Sequence, residues 1–169
     1  MPAAGQSAPV IATTYDGLDQ ITKVTDPRAL ATEYSVDGLG NSTRIKSPDS
    51  GIADRTYDAA GNLLTATDPR QWRATHTYDA LNRLTGIAFS KIGGPAAPAT
   101  PSVGFNYDNV PPSAGSVGKL TSVTHGSTTV GWNYDVKGRI AVWQQLLTGG
   151  PTFTGQYAYS PNGQLLAQT

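Results

Sequence analysis

Few residues in this chain are equipped for chemistry. His76 and His125 are its only imidazoles, and there is no cysteine. Neither histidine stands in a ligand-spaced cluster, so no zinc site can be drawn and no metal is expected. Thiol catalysis and a disulfide framework are excluded. Aspartate is the abundant reactive group: eleven of the twelve acidic residues are Asp, and Glu33 is the only Glu. Recurring carboxylates could pair for acid–base work, but these fall at sequence positions that make turns, exposed and without raised pKa values. The Gly-Gly of Ile92-Gly-Gly-Pro95 lacks the Lys-Ser/Thr of a phosphate loop, and nothing resembles a nucleophile elbow. No catalytic residue and no cofactor is expected, and the chain reads as non-enzymatic.

The elements that carry these aspartates repeat. With the tyrosine of each Tyr-Asp pair as zero, Tyr15, Tyr57 and Tyr78 share a 21-residue frame in which Val36, followed by Asp37, fills the one missing slot. Tyr107, Tyr134 and Tyr159 keep the local pattern at spacings of 29, 27 and 25 residues. A fixed period of this length marks an array of one small supersecondary unit, and such arrays are usually surfaces or walls.

Within the unit, Thr-rich extended runs flank a turn. Asp58-Ala-Ala-Gly61 has the signature of a type I turn, with Asp at the first position bonding the backbone two residues on and Gly taking a positive φ at the fourth. The same chemistry recurs at Asp37 to Gly40 and Asp135 to Gly138, and at Ser160 to Gly163 with Ser and Pro substituted. Asp16 to Asp19 and Asp79 to Asn82 end in the residues that best tolerate the left-handed region after Gly. Hairpin tips are therefore expected at 16–19, 37–40, 58–61, 79–82, 109–117, 135–138 and 160–163. A second turn closes each repeat at Asp26-Pro-Arg28, Ser47-Pro-Asp49 and Asp68-Pro-Arg70, where proline cannot donate to a ladder.

Two residues before the tyrosine stand Tyr34, His76, Phe105, Trp132 and Tyr157, on the same strand face. Stacked repeats would align two aromatic ladders, with Tyr57 and Tyr78 substantially buried between rungs. The sixth position after the tyrosine (Ile21, Leu63, Leu84, Ile140, Leu165) and the ninth (Val24, Ile45, Ala66, Ile87, Trp143) have opposite parity. Either both faces are partly covered, or a bulge intervenes.

Composition agrees with an all-β chain. Its 169 residues include 19 Gly and 12 Pro, and Asp outnumbers the helix-favouring Glu. Twelve basic groups balance twelve acidic ones, leaving no basic footprint for nucleic acid. No run of about 18 apolar residues exists, so no membrane span is expected. The opening Met1-Pro-Ala-Ala-Gly5 shows no signal peptide. Residues 1–12 read as a lead-in strand or tail and 13–169 as seven hairpin repeats, with Pro/Gly-rich insertions at about 91–102 and 109–117.

Arg55-Thr-Tyr-Asp-Ala-Ala-Gly-Asn-Leu-Leu-Thr65, Thr77-Tyr-Asp-Ala-Leu-Asn-Arg-Leu-Thr85 and Asp68-Pro-Arg70 resemble the RHS (YD) repeat, over roughly residues 13–168. The resemblance implies a spiral array of antiparallel β-hairpins building a hollow shell, as in bacterial RHS and Tc toxins and teneurin-like adhesion proteins. It further implies a structural wall, an encapsulated C-terminal effector as partner, and a secreted or cell-surface bacterial location. Where the family often has Gly after Asp-Pro, this chain has Arg28-Ala-Leu30 and Arg70-Gln-Trp72. Seven hairpins are too few to close a shell, and the sequence stops in mid-register at Thr169. Both points suggest a piece of a longer wall, or a subunit whose uncharged terminal strands pair with other copies into a filament. A cell-surface or glycan-binding module is the alternative, if the aromatic ladders face solvent.

Overall fold

The computed structural model describes residues 9–95, 98–108 and 115–169. Fourteen strands and no helix make up its regular structure. They are β1 (Ala12–Tyr15), β2 (Ile21–Thr25), β3 (Ala31–Val36), β4 (Ser42–Ser47), β5 (Gly51–Tyr57), β6 (Leu63–Thr67) and β7 (Trp72–Tyr78). The remainder are β8 (Leu84–Lys91), β9 (Val103–Tyr107), β10 (Leu120–His125), β11 (Thr128–Tyr134), β12 (Ile140–Leu147), β13 (Thr152–Tyr159) and β14 (Leu165–Gln168). The strands form one sheet in sequence order, with antiparallel pairing between neighbours. No helix among the described residues is long and apolar enough to cross a membrane, which leaves strands aside.

By contacts the chain divides into two compact units. The first comprises Met1–Thr75 with Ser90–Ala97, the second His76–Phe89 with Pro98–Thr169. In the first, the hairpins β1–β2, β3–β4 and β5–β6 follow the 21-residue frame. In the second, β9–β10, β11–β12 and β13–β14 use the same plan with longer arms. Within the insertion expected at 109–117, residues 109–114 lie outside the described set, as do residues 1–8 of the lead-in and 96–97 of the other insertion.

A bulge resolves the parity question. In β5–β6, Thr56 pairs with Thr65 but Tyr57 pairs with Leu63, so Leu64 is an extra residue. The shift recurs beside Tyr15, Val36, Tyr134 and Tyr159, and near Leu120 in β9–β10. Because one added residue reverses side-chain parity, the sixth and ninth positions both join the tyrosine face. In β5–β6, Ala66 stands opposite Arg55, two residues from Tyr57.

The two faces differ in chemistry. Between the aromatic positions, Ser35, Thr56, Thr77 and Asn133 are exposed. That polar side is laced by Thr56 Oγ1 to Thr65 Oγ1 at 2.7 Å, Asn106 Nδ2 donating to Ser122 Oγ at 2.9 Å, and the Arg44–Asp54 pair at 2.6 Å. The tyrosine face is the more protected one, yet no apolar side chain among the described residues is fully buried. Tyr57 and Tyr78, expected to be substantially buried, are half-buried, and Tyr15 is 57% exposed. A single sheet covers its side chains only with their lateral neighbours, and no second layer closes over them. Half-burial contributes about 1–1.5 kcal/mol per such side chain, half the value of a core position.

Candidate functional site

The repeating unit of chemistry is the turn carboxylate. Asp58 Oδ1 accepts from the backbone N–H of Ala60 (2.9 Å) and of Asn62 (2.8 Å), and Gly61 N donates to Asp58 O at 3.1 Å. Asp16, Asp37, Asp79 and Asp135 make the same two side-chain contacts, to the residues two and four positions on. At Ser160 the hydroxyl accepts from Gln164 N at 3.0 Å. Fourth-position φ angles are positive throughout: Gly40 83°, Gly61 82°, Gly138 74° and Gly163 94°, with Asp19 and Asn82 both at 59°. In the lengthened fifth hairpin, Asp108 Oδ1 instead accepts from Gly118 N, across a turn closed by Lys119 N on Ser116 O.

The Asp-Pro turns are built alike. Asp26 Oδ1 caps the N–H of Arg28 and Leu30, and Asp68 Oδ1 that of Arg70 and Trp72. The left-handed residue here is Ala29 (φ 64°) or Gln71 (φ 68°), neither a glycine.

At four of these turns the side chain four residues after the Asp uses the other carboxylate oxygen. Asn41, Asn62, Arg83 and Arg139 bond Oδ2 of Asp37, Asp58, Asp79 and Asp135 at 3.1, 2.9, 2.7 and 2.7 Å. These donors hold the carboxylates below their ordinary range. The Asn side chains lead at Asp37 and Asp58, and the Arg83 and Arg139 backbone N–H lead at Asp79 and Asp135. At Asp108 the Arg83 side chain is the main cause. A carboxylate whose charged form is so satisfied stays ionised at neutral pH and has no proton to donate, so these residues are turn-makers rather than general acids.

Sequence reasoning missed what the tyrosines do. Four hydroxyls donate to a main-chain carbonyl in the preceding hairpin: Tyr57 to Ser42 O (3.2 Å), Tyr107 to Leu84 O (3.0 Å), Tyr134 to Leu120 O (2.6 Å) and Tyr159 to Ile140 O (3.0 Å). Burial pushes the Tyr134 phenol up. Arg83 lies 4.4 Å from the ring centroid of Tyr107, Arg139 4.4 Å from that of Tyr159, and Lys119 Nζ 5.5 Å from that of Tyr134. The signal was present as the basic residue four positions after Asp79 and Asp135. At Tyr107, Tyr134 and Tyr159 the repeat is thereby clipped to the one before it through one phenol and one cation.

No group of three or more His, Cys, Asp or Glu among the described residues could hold a metal ion. The His76 ring sits half-buried on β7, its Nδ1 buried with no hydrogen-bond partner, and His125 is exposed at the end of β10. The second unit carries an aromatic hollow of about 300 Å³ lined by Trp132, Ile140, Trp143, Tyr157 and Tyr159. Trp132 pairs across strands with Trp143, and Trp143 with Gly155, whose missing Cβ leaves the place the indole occupies.

This arrangement of bulged hairpins, turn aspartates and tyrosine clips defines a class of β-repeat sheet. Residues 57–88 match the RHS Repeat family. The fold of the chain is that of solved Tc toxin structures. The Photorhabdus luminescens Tc holotoxin pore with a TccC3 mutation matches at 14% identity and TM-score 0.74, over 95% of this chain and 9% of that one. The TcdB2-TccC3-Cdc42 structure matches at 16% identity and TM-score 0.76, over 100% and 10% of the two chains. TcdB2-TccC3 matches at 14% identity and TM-score 0.74, over 99% and 10%. The chain thus spans about a tenth of the chains it matches. No curated protein sequence matches it.

Proposed function

We propose that the chain is a wall segment of an RHS-type β-shell, a structural element that encloses an effector within a larger toxin-like protein. The observation that carries this reading is a sheet of fourteen strands with no fully buried apolar side chain among the described residues. Such a sheet is a surface, and its half-covered tyrosine face suits the lining or coat of a wall better than the core of a free domain. Similarity to Tc toxin chains over nearly the whole length supports it. Export to the medium or the cell surface follows from the same reading. The test is to express the reading frame that contains these repeats and treat it with protease. A wall protects an enclosed segment until the shell is opened, whereas equal cleavage of every segment counts against encapsulation.

A binding module for glycans is the second reading, favoured by Trp132, Trp143, Tyr157 and Tyr159 around one open hollow. Aromatic faces of this kind stack on the apolar faces of sugars. A glycan array probed with the chain decides it, and an empty array removes it.

A further inference from the structure

Repeat two departs twice from the pattern its neighbours keep. Where Tyr15 pairs with Ile21, Tyr57 with Leu63, Tyr107 with Leu120, Tyr134 with Ile140 and Tyr159 with Leu165, this hairpin pairs Val36 with Ser42. Both substitutions remove bulk from the same place. The result is a hollow of about 370 Å³ lined by Gln20, Ile21, Val24, Tyr34, Val36, Gly40 and Ser42, all within the first unit. Elsewhere this space holds the ring of the repeat tyrosine. That ring lies under the fifth-position side chain of the preceding hairpin, with its hydroxyl on the sixth-position carbonyl. The equivalents here are Gln20 and the main chain of Ile21, and both line the hollow.

Ser42, on the strand beyond Val36, gives the hollow a polar edge. An apolar cavity of about 150 Å³ suffices to bind a benzene ring, and this one is larger and carries polar groups at its edge.

We propose that this hollow is a binding site for one phenol ring, a para-substituted phenol standing in for the tyrosine that repeat two lacks. The ring lies against Val24, Tyr34 and Val36 under the Gln20 amide. Its hydroxyl meets the Ile21 carbonyl, by analogy with the four clips.

The test is a nuclear magnetic resonance titration of the full chain with p-cresol, with toluene as the ring without the hydroxyl. Saturable amide shifts confined to Gln20, Ile21, Gly40, Ser42 and their neighbours are expected, with toluene several-fold weaker. Val36→Tyr supplies the missing ring from within, and Ser42→Leu restores the residue type of the other repeats; each should weaken p-cresol binding at least about tenfold, or 1.4 kcal/mol. The absence of saturable shifts at these residues would overturn the proposal, as would equal binding by Val36→Tyr and the unmodified chain.

Discussion

The guanidinium of Arg83 lies over the ring of Tyr107 and at the same time joins two turn carboxylates, Asp79 at 2.7 Å and Asp108 at 2.7 Å. One side chain thus ties the tip of the fourth hairpin to the tip and the tyrosine of the fifth. The Arg side chain is 23% exposed and its partners 24% and 31%, whereas the superficially similar Arg28–Asp49 pair is 62% and 66% exposed. Solvent screens the second pair far more than the first. Replacing Arg83 with Lys removes the planar fork and should lower the melting temperature by several degrees, with Asp108→Asn non-additive to it in a double-mutant cycle. Arg28→Lys should leave melting unchanged. Equal effects at the two sites would contradict the bridging role.

The tyrosine clips predict a small, separable hydrogen-bond contribution. Tyr134→Phe deletes the 2.6 Å bond to Leu120 O while keeping the ring. Denaturant unfolding should show a loss of about 1 kcal/mol. Tyr15→Phe, at an exposed ring in the first hairpin, should cost nothing measurable.

Two positions are open to stabilisation. Ala29 and Gln71 sit at φ 64° and 68°, where an L side chain is strained by about 1–2 kcal/mol. Glycine removes that strain but loses more entropy on folding, so Ala29→Gly and Gln71→Gly should each gain up to about 1 kcal/mol. The converse change, Gly61→Ala at φ 82°, meets no atom within 4 Å and should cost the strain alone. Stability curves of the three variants check the pair of signs.

Acid should loosen the turns. Asp37, Asp58, Asp79, Asp108 and Asp135 all titrate below the ordinary value of 3.8. A depressed folded-state pKa gives stability that is complete above the unfolded value and is lost as pH falls through the folded one. Melting temperature should therefore be flat from neutral pH to about 5 and fall below about 4. Asp58→Asn should lower the neutral plateau and flatten that acid slope.

Among the described strands, β1 and β14 stand at the two ends of the sheet order, and all their residues are exposed, with Leu165 at 54% and the neighbouring Ile11 at 67%. Unpaired ladders without charge invite pairing with another strand. Light scattering should show concentration-dependent growth of the isolated chain, suppressed by Ile11→Lys with Leu165→Lys. A clean monomer at high concentration contradicts this.

The repeat frame, strand polarity and turn residues were legible because short-range rules govern them: Asp58 caps its own turn, and Gly61, having no side chain, takes the positive φ the turn needs. The bulge at Leu64 was legible only as a parity conflict between Leu63 and Ala66, since register depends on the partner strand. The half-burial of Tyr57 and Tyr78 was not legible. Alternation names the protected face of a strand but not whether a second layer covers it. The clips from Tyr107 to Leu84 and from Arg83 to Asp108 span 23 and 25 residues, and the hollow at Val36 joins residues 20 to 42; such contacts depend on how hairpins stack.

Electron cryo-microscopy of the full product of the reading frame that carries these repeats tests the central claim most directly. The account predicts β1 to β14 lying edge to edge with further bulged hairpins in a continuous wall around a hollow interior. The same fourteen strands standing as a free sheet, with both terminal strands in solvent and no enclosed space, would contradict it.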